Sequence, residues 1–197
     1  MGPPLSTPAY QSNANHLRNL NMLLEIRSLV LGGSSFQMRP GGPMAIPLPD
    51  GETGGILECA TAGSSGAPKI IRRSHRSWIA SFEVNAELFS LSSTDTYAVL
   101  GSLEHSLSLY GVLEAAHIGA NLCMLAGLRP DTQLETLAEK GVTTVYATPT
   151  QLEALMSVGG QGFGFKKIKR IFIGGGAFST ALAERCRAFF NLSLIHI

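Results

Sequence analysis

From residue 56 onward, short apolar runs alternate with longer segments whose apolar residues recur at helical spacing. A strand followed by a helix and a second strand favours parallel pairing with a right-handed crossover. The alternation therefore predicts an α/β fold with a mainly parallel sheet flanked by helices. The predicted strands are Ile56 to Ala60, Tyr97 to Leu100, Asn121 to Leu125, Thr143 to Tyr146 and Arg170 to Ile173. In such folds ligands bind beyond the carboxyl ends of the strands.

The segments between these runs carry helix-start signals. Thr148-Pro149-Thr150-Gln151 combines a capping hydroxyl, a first-turn proline and a capping-box glutamine. Asp131 is predicted to cap another helix, and Gly141 suits that helix's C-terminal end. We also expect helices capped by Ser74 and Ser179, and a helix from Leu107 to Ile118.

The first 50 residues predict less regular structure. Leucines at near-helical spacing indicate one possible helix from His16 to Leu31. Gly32 to Pro49 is rich in glycine and proline and is predicted to be loop. We therefore expect an irregular N-terminal segment over residues 1–50, followed by a partial α/β domain over residues 51–191.

Thr61 to Lys69 joins glycines, hydroxyls and a lysine in one short loop after the first apolar run. Glycine lets backbone N–H groups converge on an anion, and phosphate suits such a loop best. The segment lacks the Gly-Lys-Ser/Thr order of the common phosphate loop. Ile70 and Ile71 follow it and favour a strand, so the loop is predicted to join two extended segments. The alternative is a glycine-serine surface turn.

At these residues the chain resembles the adenylate-forming superfamily, which includes acyl- and aryl-CoA synthetases, luciferases and peptide-synthetase adenylation domains. That family's loop reads Thr-Ser-Gly-Ser/Thr-Thr-Gly-x-Pro-Lys, and six positions from Thr61 to Lys69 match it directly. Ser65 keeps the hydroxyl of the family's threonine, whereas Ala62 lacks that of its serine. The resemblance implies that this chain is an incomplete part of the large N-terminal domain.

Four further segments resemble family elements in the family's order. Arg73-Ser74-His75 is similar to the pair that opens a helix after the loop, and Val142 to Leu152 is similar to a strand-Pro-Thr-x-Leu element. Glu104-His105-Ser106 is similar to the histidine segment beside the acyl pocket, although His105 can also be a histidine satisfied at a strand end. Ile173 to Ala177 resembles the turn that lies along the adenine, and its alternative is a tight turn without a ligand.

The resemblance implies an ATP-dependent ligase that activates a small carboxylic acid as an acyl-adenylate and then forms a thioester. Lys69 and His105 are the implied catalytic residues, and no metal-ligating residue is implied. ATP, Mg²⁺, and CoA or a phosphopantetheine carrier protein are the implied cofactors and partners. The implied nucleotide-binding residues are Thr61, Gly63, Ser64, Ser65, Gly66, Lys69, Gly174, Gly175, Gly176 and Ala177.

Several family motifs have no counterpart in the chain, among them Tyr-Gly-x-Thr-Glu and the C-terminal domain with its lysine. We therefore expect this polypeptide alone to be inactive in adenylation. Two alternatives stay open, a non-catalytic nucleotide- or phosphate-binding module and a non-functional truncated product. His75 and His117 are predicted to mark a helix start and a helix end, without catalytic roles.

Composition narrows the function classes. Fifteen basic residues nearly balance fourteen acidic ones, which argues against nucleic acid as a partner. Lys166, Lys167, Lys169 and Arg170 form a basic cluster that we expect to be a solvated loop entering a strand.

Three scattered cysteines predict buried, reduced thiols and a cytoplasmic setting. No apolar run reaches the ~18 residues of a membrane span, and no signal peptide is recognisable.

The final residues read Leu-Ser-Leu-Ile-His-Ile, from Leu192 to Ile197. They resemble the translation of a transposase-adapter end used in sequencing libraries. We expect a non-native tail over residues 192–197 and a native sequence that differs beyond Asn191. A short natural apolar tail is the alternative.

Overall fold

The structure is a computed structural model that describes residues 14–48, 50–51, 54–61, 69–159, 165 and 167–192. Its helices are α1 (Ala14–Leu31), α2 (His75–Phe89), α3 (Ser106–Ile118), α4 (Pro130–Glu139), α5 (Pro149–Val158) and α6 (Thr180–Phe190). Its strands are β1 (Phe36–Arg39), β2 (Gly42–Ala45), β3 (Ile56–Thr61), β4 (Lys69–Ser74), β5 (Thr96–Val99), β6 (Asn121–Met124), β7 (Thr144–Ala147) and β8 (Arg170–Ile173).

Four of the strands form a parallel sheet, here called sheet B, in the order β6-β5-β7-β8. Each strand is followed by a helix, as the alternating sequence predicts, so all four carboxyl ends lie at one edge. Both faces of the sheet are covered, and successive residues of β5 enter different cores. The α/β fold with a parallel sheet is thereby confirmed.

A second, mixed sheet, here called sheet A, has the order β2-β1-β3-β4. Strands β3 and β4 form an antiparallel pair in which Thr61 lies opposite Lys69. Strand β1 pairs in parallel with β3 and antiparallel with β2. An isolated parallel bridge between Ala60 and His105 joins β3 of sheet A to the start of α3. The end of β3 therefore lies beside the segment that follows β5, next to the start of the predicted phosphate loop.

Two hydrophobic cores hold these layers together. The first core lies between sheet A and sheet B and includes residues of α1, α2 and α3. The second core lies on the opposite face of sheet B, under α4, α5 and α6. In the first core, Gly111 of α3 lies against the Tyr146 ring, and Tyr146 stacks on Phe172 with ring centroids 4.7 Å apart. The absence of a side chain at Gly111 allows this close approach.

Most of the predicted helix starts are confirmed. Ser74, Thr148 and Ser179 are N-caps whose hydroxyls accept backbone hydrogen bonds, and Gln151 completes the predicted capping box. The helix predicted from His16 to Leu31 begins two residues earlier. His75 and His117 stand at a helix start and near a helix end, and the three cysteines are buried thiols, as expected.

Three predictions are wrong. The Gly- and Pro-rich stretch expected to be loop contains β1 and β2, because its residues pair with each other and with β3. Asp131 does not cap α4, since Arg129 is the N-cap and Pro130 fixes the first helical position. Lys167 and Lys169 are exposed ahead of β8, as expected of the basic cluster, but the prediction is wrong for Arg170, whose side chain is 15% exposed and lies 3.3 Å from the Asp95 carboxylate.

Across the part of the chain that is described, no helix combines the length and the apolar character needed to cross a membrane.

Candidate functional site

The candidate site lies at the edge of sheet B formed by the strand carboxyl ends. The segment after β5, the start of α5 after β7 and the turn after β8 meet there, and the end of β3 reaches the same place from sheet A. Residues far apart in sequence are thus brought together, as parallel pairing requires.

The ends of the predicted phosphate loop are held by strand pairing. Thr61 is the last residue of β3 and Lys69 the first of β4, and their Cα atoms are register partners in the antiparallel pair. The Lys69 side chain is exposed. Gly63, Ser64, Ser65 and Gly66 lie outside the described residues, as does the side chain of Thr61. The structure therefore fixes where the loop begins and ends.

His105 lies beside the strand that leads into that loop. Its backbone pairs with Ala60, the residue before Thr61, and it is the N-cap residue of α3. The amide of His105 donates to the Ser102 carbonyl oxygen at 3.1 Å, which tightens the turn that enters the helix. The His105 side chain is exposed and makes no capping hydrogen bond, so its imidazole is available to a ligand at this edge.

The turn Gly174–Gly176 lies on the first turns of two helices. A Cβ atom at Gly174 would lie 3.3 Å from a methyl group of Leu107, and one at Gly175 would lie 3.4 Å from the Thr148 methyl group. Gly175 also has a φ of 77°, which L side chains rarely adopt. Gly174, Gly175, Gly176 and the following Ala177 thus present backbone close to α3 and α5, on a surface that a flat ring could approach.

Helix starts make this edge electropositive. The N-terminus of a helix carries partial positive charge and N–H groups without partners in the helix. At α5 and α6, the hydroxyls of Thr148 and Ser179 occupy one of those N–H groups. At α3, no side chain of the N-cap residue does so. The start of α3, beside His105, is therefore suited to an anionic group.

Two contacts at this edge were not foreseen from the sequence. A carboxylate oxygen of Glu104 accepts a hydrogen bond from the Gly41 amide at 3.3 Å and lies 3.7 Å from the Arg18 guanidinium. Glu104 thereby ties α1 and the β1–β2 turn to the segment that carries His105. The second is the close approach of the Gly101 backbone to Ser108, where a side chain on residue 101 would collide with the Ser108 side chain. A glycine directly after a buried strand was the available signal.

A buried acidic network lies deeper on α3. Glu114 is 0% exposed, and its carboxylate accepts hydrogen bonds from Tyr97, Tyr146 and the Asn85 amide group. Burial raises the pKa of Glu114, and the three hydrogen bonds oppose that rise. These groups join α2, α3 and sheet B below the edge, so they support the site rather than line it.

Clusters of metal-ligating side chains were looked for among the described residues. No group of three or more His, Cys, Asp or Glu side chains in the described ranges is placed to hold a metal ion.

Comparison with known proteins identifies a family. Residues 57–197 match the family described as AMP-binding enzyme. An uncharacterized acyl-CoA ligase of Bacillus subtilis, YhfT, is 36% identical over 114 residues, which cover 58% of this chain and 23% of that protein. A putative long chain fatty acid-CoA ligase of Staphylococcus aureus, VraA, is 34% identical over 100 residues, covering 50% and 22%. The chain thus spans about a quarter of the length of the curated relatives it matches.

Solved structures agree on the fold. The N-terminal domain of FACL13 from Mycobacterium tuberculosis has a TM-score of 0.61 at 19% identity, covering 71% of this chain and 35% of that one. VinN has a TM-score of 0.60 at 18% identity, covering 80% and 40%. At these identities the likeness concerns the fold alone.

Proposed function

Because the chain belongs to the family of AMP-binding enzymes, we propose that it is part of an ATP-dependent ligase that converts a carboxylic acid to an acyl-adenylate. The acyl-CoA ligase relatives support a thioester as the final product, with CoA as the acceptor and a carrier protein as the alternative. The observation that carries the proposal is the bridge between Ala60 and His105, which joins the strand leading into the loop to the histidine segment.

In this proposal, different residues at this edge would hold the phosphates, the adenine and the acid. The loop from Thr61 to Lys69 would hold the β- and γ-phosphates, which leave as pyrophosphate, with the Lys69 ammonium neutralising part of their charge. The backbone of Gly174 to Ala177 would lie along the adenine. His105 and the uncapped start of α3 would orient the acid's carboxylate, which is the attacking group. Bound Mg²⁺ would supply charge neutralisation at the phosphates.

Lys69→Ala tests the proposal in two settings. In the 197-residue chain, we expect ATP affinity to fall about 10- to 100-fold, since a charge-assisted hydrogen bond contributes roughly 1.5–3 kcal/mol. In a longer native protein carrying the remaining family motifs, the same change should slow acid-dependent pyrophosphate exchange by a similar factor. Equilibrium dialysis with labelled ATP and isotope exchange measure the two quantities.

Lys167→Ala is the matched control. Lys167 is also an exposed lysine, but it lies beside Gly141, at the end of sheet B opposite the candidate site. Equal effects of the two substitutions would refute the loop assignment. Tight ATP binding without exchange in the longer protein would favour a non-catalytic binding module instead.

A further inference from the structure

The three glycines that follow β8 each lie against a side chain at the start of a helix. A Cβ atom at Gly174 would lie 3.3 Å from a methyl group of Leu107, on α3. The next two glycines lie against Thr148 and Pro149, at the start of α5, where the corresponding distances are 3.4 and 3.5 Å. The turn is therefore packed from two sides, by α3 and by α5.

On the α3 side, an apolar side chain supports the turn. Leu107 is the second residue of α3 and is half-buried. The three atoms nearest to a Cβ at Gly174 are all side-chain carbons of Leu107, at 3.3, 3.7 and 3.9 Å. The Gly174 amide donates to the Ala147 carbonyl oxygen at 3.4 Å, which is long for a hydrogen bond. The spacing between the turn and α3 therefore depends mainly on the size of the Leu107 side chain.

The first turn of α3 is itself held in place. Ser108, which follows Leu107, lies against Gly101 in the segment after β5, where an added Cβ would lie 2.4 Å from the Ser108 Oγ. The same helical turn begins beside His105. Leu107 thus connects the glycine turn to the histidine segment through a part of the helix that has little room to shift.

We propose that Leu107 is a positioning residue for the nucleotide base: it holds the Gly174 backbone at the height at which an adenine ring lies along the turn. The inference rests on the proposed function, which assigns this turn to the adenine. Leu107 lies on the side of Gly174 to which a Cβ would point, so it supports the turn. A binding site has to be held within about 0.5 Å of its productive geometry, and Leu107 supplies the atoms that set this spacing.

Two fragments of ATP separate the adenine side from the phosphate side. Adenosine and tripolyphosphate are titrated separately into the 197-residue protein by isothermal titration calorimetry, with Mg²⁺ present throughout. Leu107→Ala should weaken adenosine binding about fivefold or more and tripolyphosphate binding less than about twofold, because the proposed phosphate contacts lie in another loop. Leu107→Met, which keeps the side-chain volume, should retain adenosine affinity. Leu113→Ala is the matched control, since Leu113 is a half-buried leucine on the same helix, and it should leave both affinities unchanged.

A paired substitution tests the contact itself. The methyl group of Gly174→Ala would meet Leu107 at 3.3 Å, which is tighter than ordinary contact, so this variant should also weaken adenosine binding. Gly174 does not have a positive φ, so its backbone accepts an alanine. In the Leu107→Ala background the same methyl group has free space, and the double variant should recover adenosine affinity relative to either single one. Circular dichroism and urea denaturation check that each variant is folded.

The possible results separate this inference from the function on which it rests. Unchanged adenosine affinity in Leu107→Ala, equal weakening of both ligands, or additive losses in the double variant would overturn the role of Leu107 alone. Failure of the unmodified protein to bind adenosine would refute the assignment of the turn to the adenine, and the inference with it.

Discussion

Replacing Gly111 by alanine should destabilise this protein, although a glycine in the interior of a helix usually costs about 0.8–1 kcal/mol relative to alanine. Gly111 is buried in the middle of α3 with its Cα facing the Tyr146 ring. An added Cβ would lie 2.6 Å from Cγ of Tyr146, about 0.8 Å closer than the 3.4 Å at which ordinary contact begins. The ring or the helix would therefore have to move.

The Tyr146 ring has little freedom to move. It stacks on Phe172 at an interplanar angle of 17°, and its hydroxyl donates to the buried Glu114 carboxylate. Overpacking of a filled core costs about 1–3 kcal/mol, and a weakened hydrogen bond to a buried charged group costs about 1–3 kcal/mol more. After subtracting the gain in helix propensity, we expect the free energy of unfolding to fall by about 1–5 kcal/mol.

Urea denaturation of Gly111→Ala, Tyr146→Leu and the double variant measures this collision directly. In the Tyr146→Leu background the ring is absent, so the alanine should be neutral or stabilising by up to about 1 kcal/mol. The coupling between the two positions should thus exceed about 1 kcal/mol. A stabilising effect of Gly111→Ala in the unmodified background would refute the reasoning.

Three further predictions concern ionisable groups. Because burial raises the folded-state pKa of Glu114, stability should fall as pH rises from 4.5 through that pKa, and Glu114→Gln should flatten this dependence in urea titrations between pH 4 and pH 8. Burial works against ionisation of Asp95, yet hydrogen bonds from Thr143 and the Ser92 amide and the charge of Arg170 lower its pKa below 3.8. Stability from this group is therefore present above pH 3.8 and lost as pH falls through the folded pKa, and a melting-temperature series should show that Asp95→Asn removes the acid-side decline. Burial raises the pKa of Cys59 to about 11, so iodoacetamide at pH 8 should label it at least 100-fold faster after unfolding.

Local chemistry explains what the sequence could predict. The N-caps at Ser74, Thr148 and Ser179 depend on atoms within three residues, so their patterns were sufficient. The strands of sheet B are buried on both faces, and continuous apolar runs report such strands well.

Long-range pairing explains what the sequence could not predict. Strand β1 is only four residues long and is held by β3, whose paired residues lie 21 positions away. Arg170 donates a hydrogen bond to Asp95, which lies 75 positions away in sequence, and Glu104 accepts one from the Gly41 amide, 63 positions away. The phosphate loop was predicted from its own glycines, hydroxyls and lysine, whereas the role of His105 was proposed from a motif resemblance, which carries no information on distance. Only the folded chain shows that Ala60 bridges His105.

Because Ala60 bridges His105, we expect a ligand at this edge to change the local stability of β3 and β4. Strands β3 and β4 belong to sheet A, whereas the glycine turn follows β8 of sheet B, so an occupant contacting both would clamp two separately hydrogen-bonded layers. Clamping raises the free energy of local opening by the ligand's binding energy. Amide hydrogen exchange should therefore slow in β3 and β4 when nucleotide is present, while the amides of β6, at the far margin of sheet B, should keep their rates.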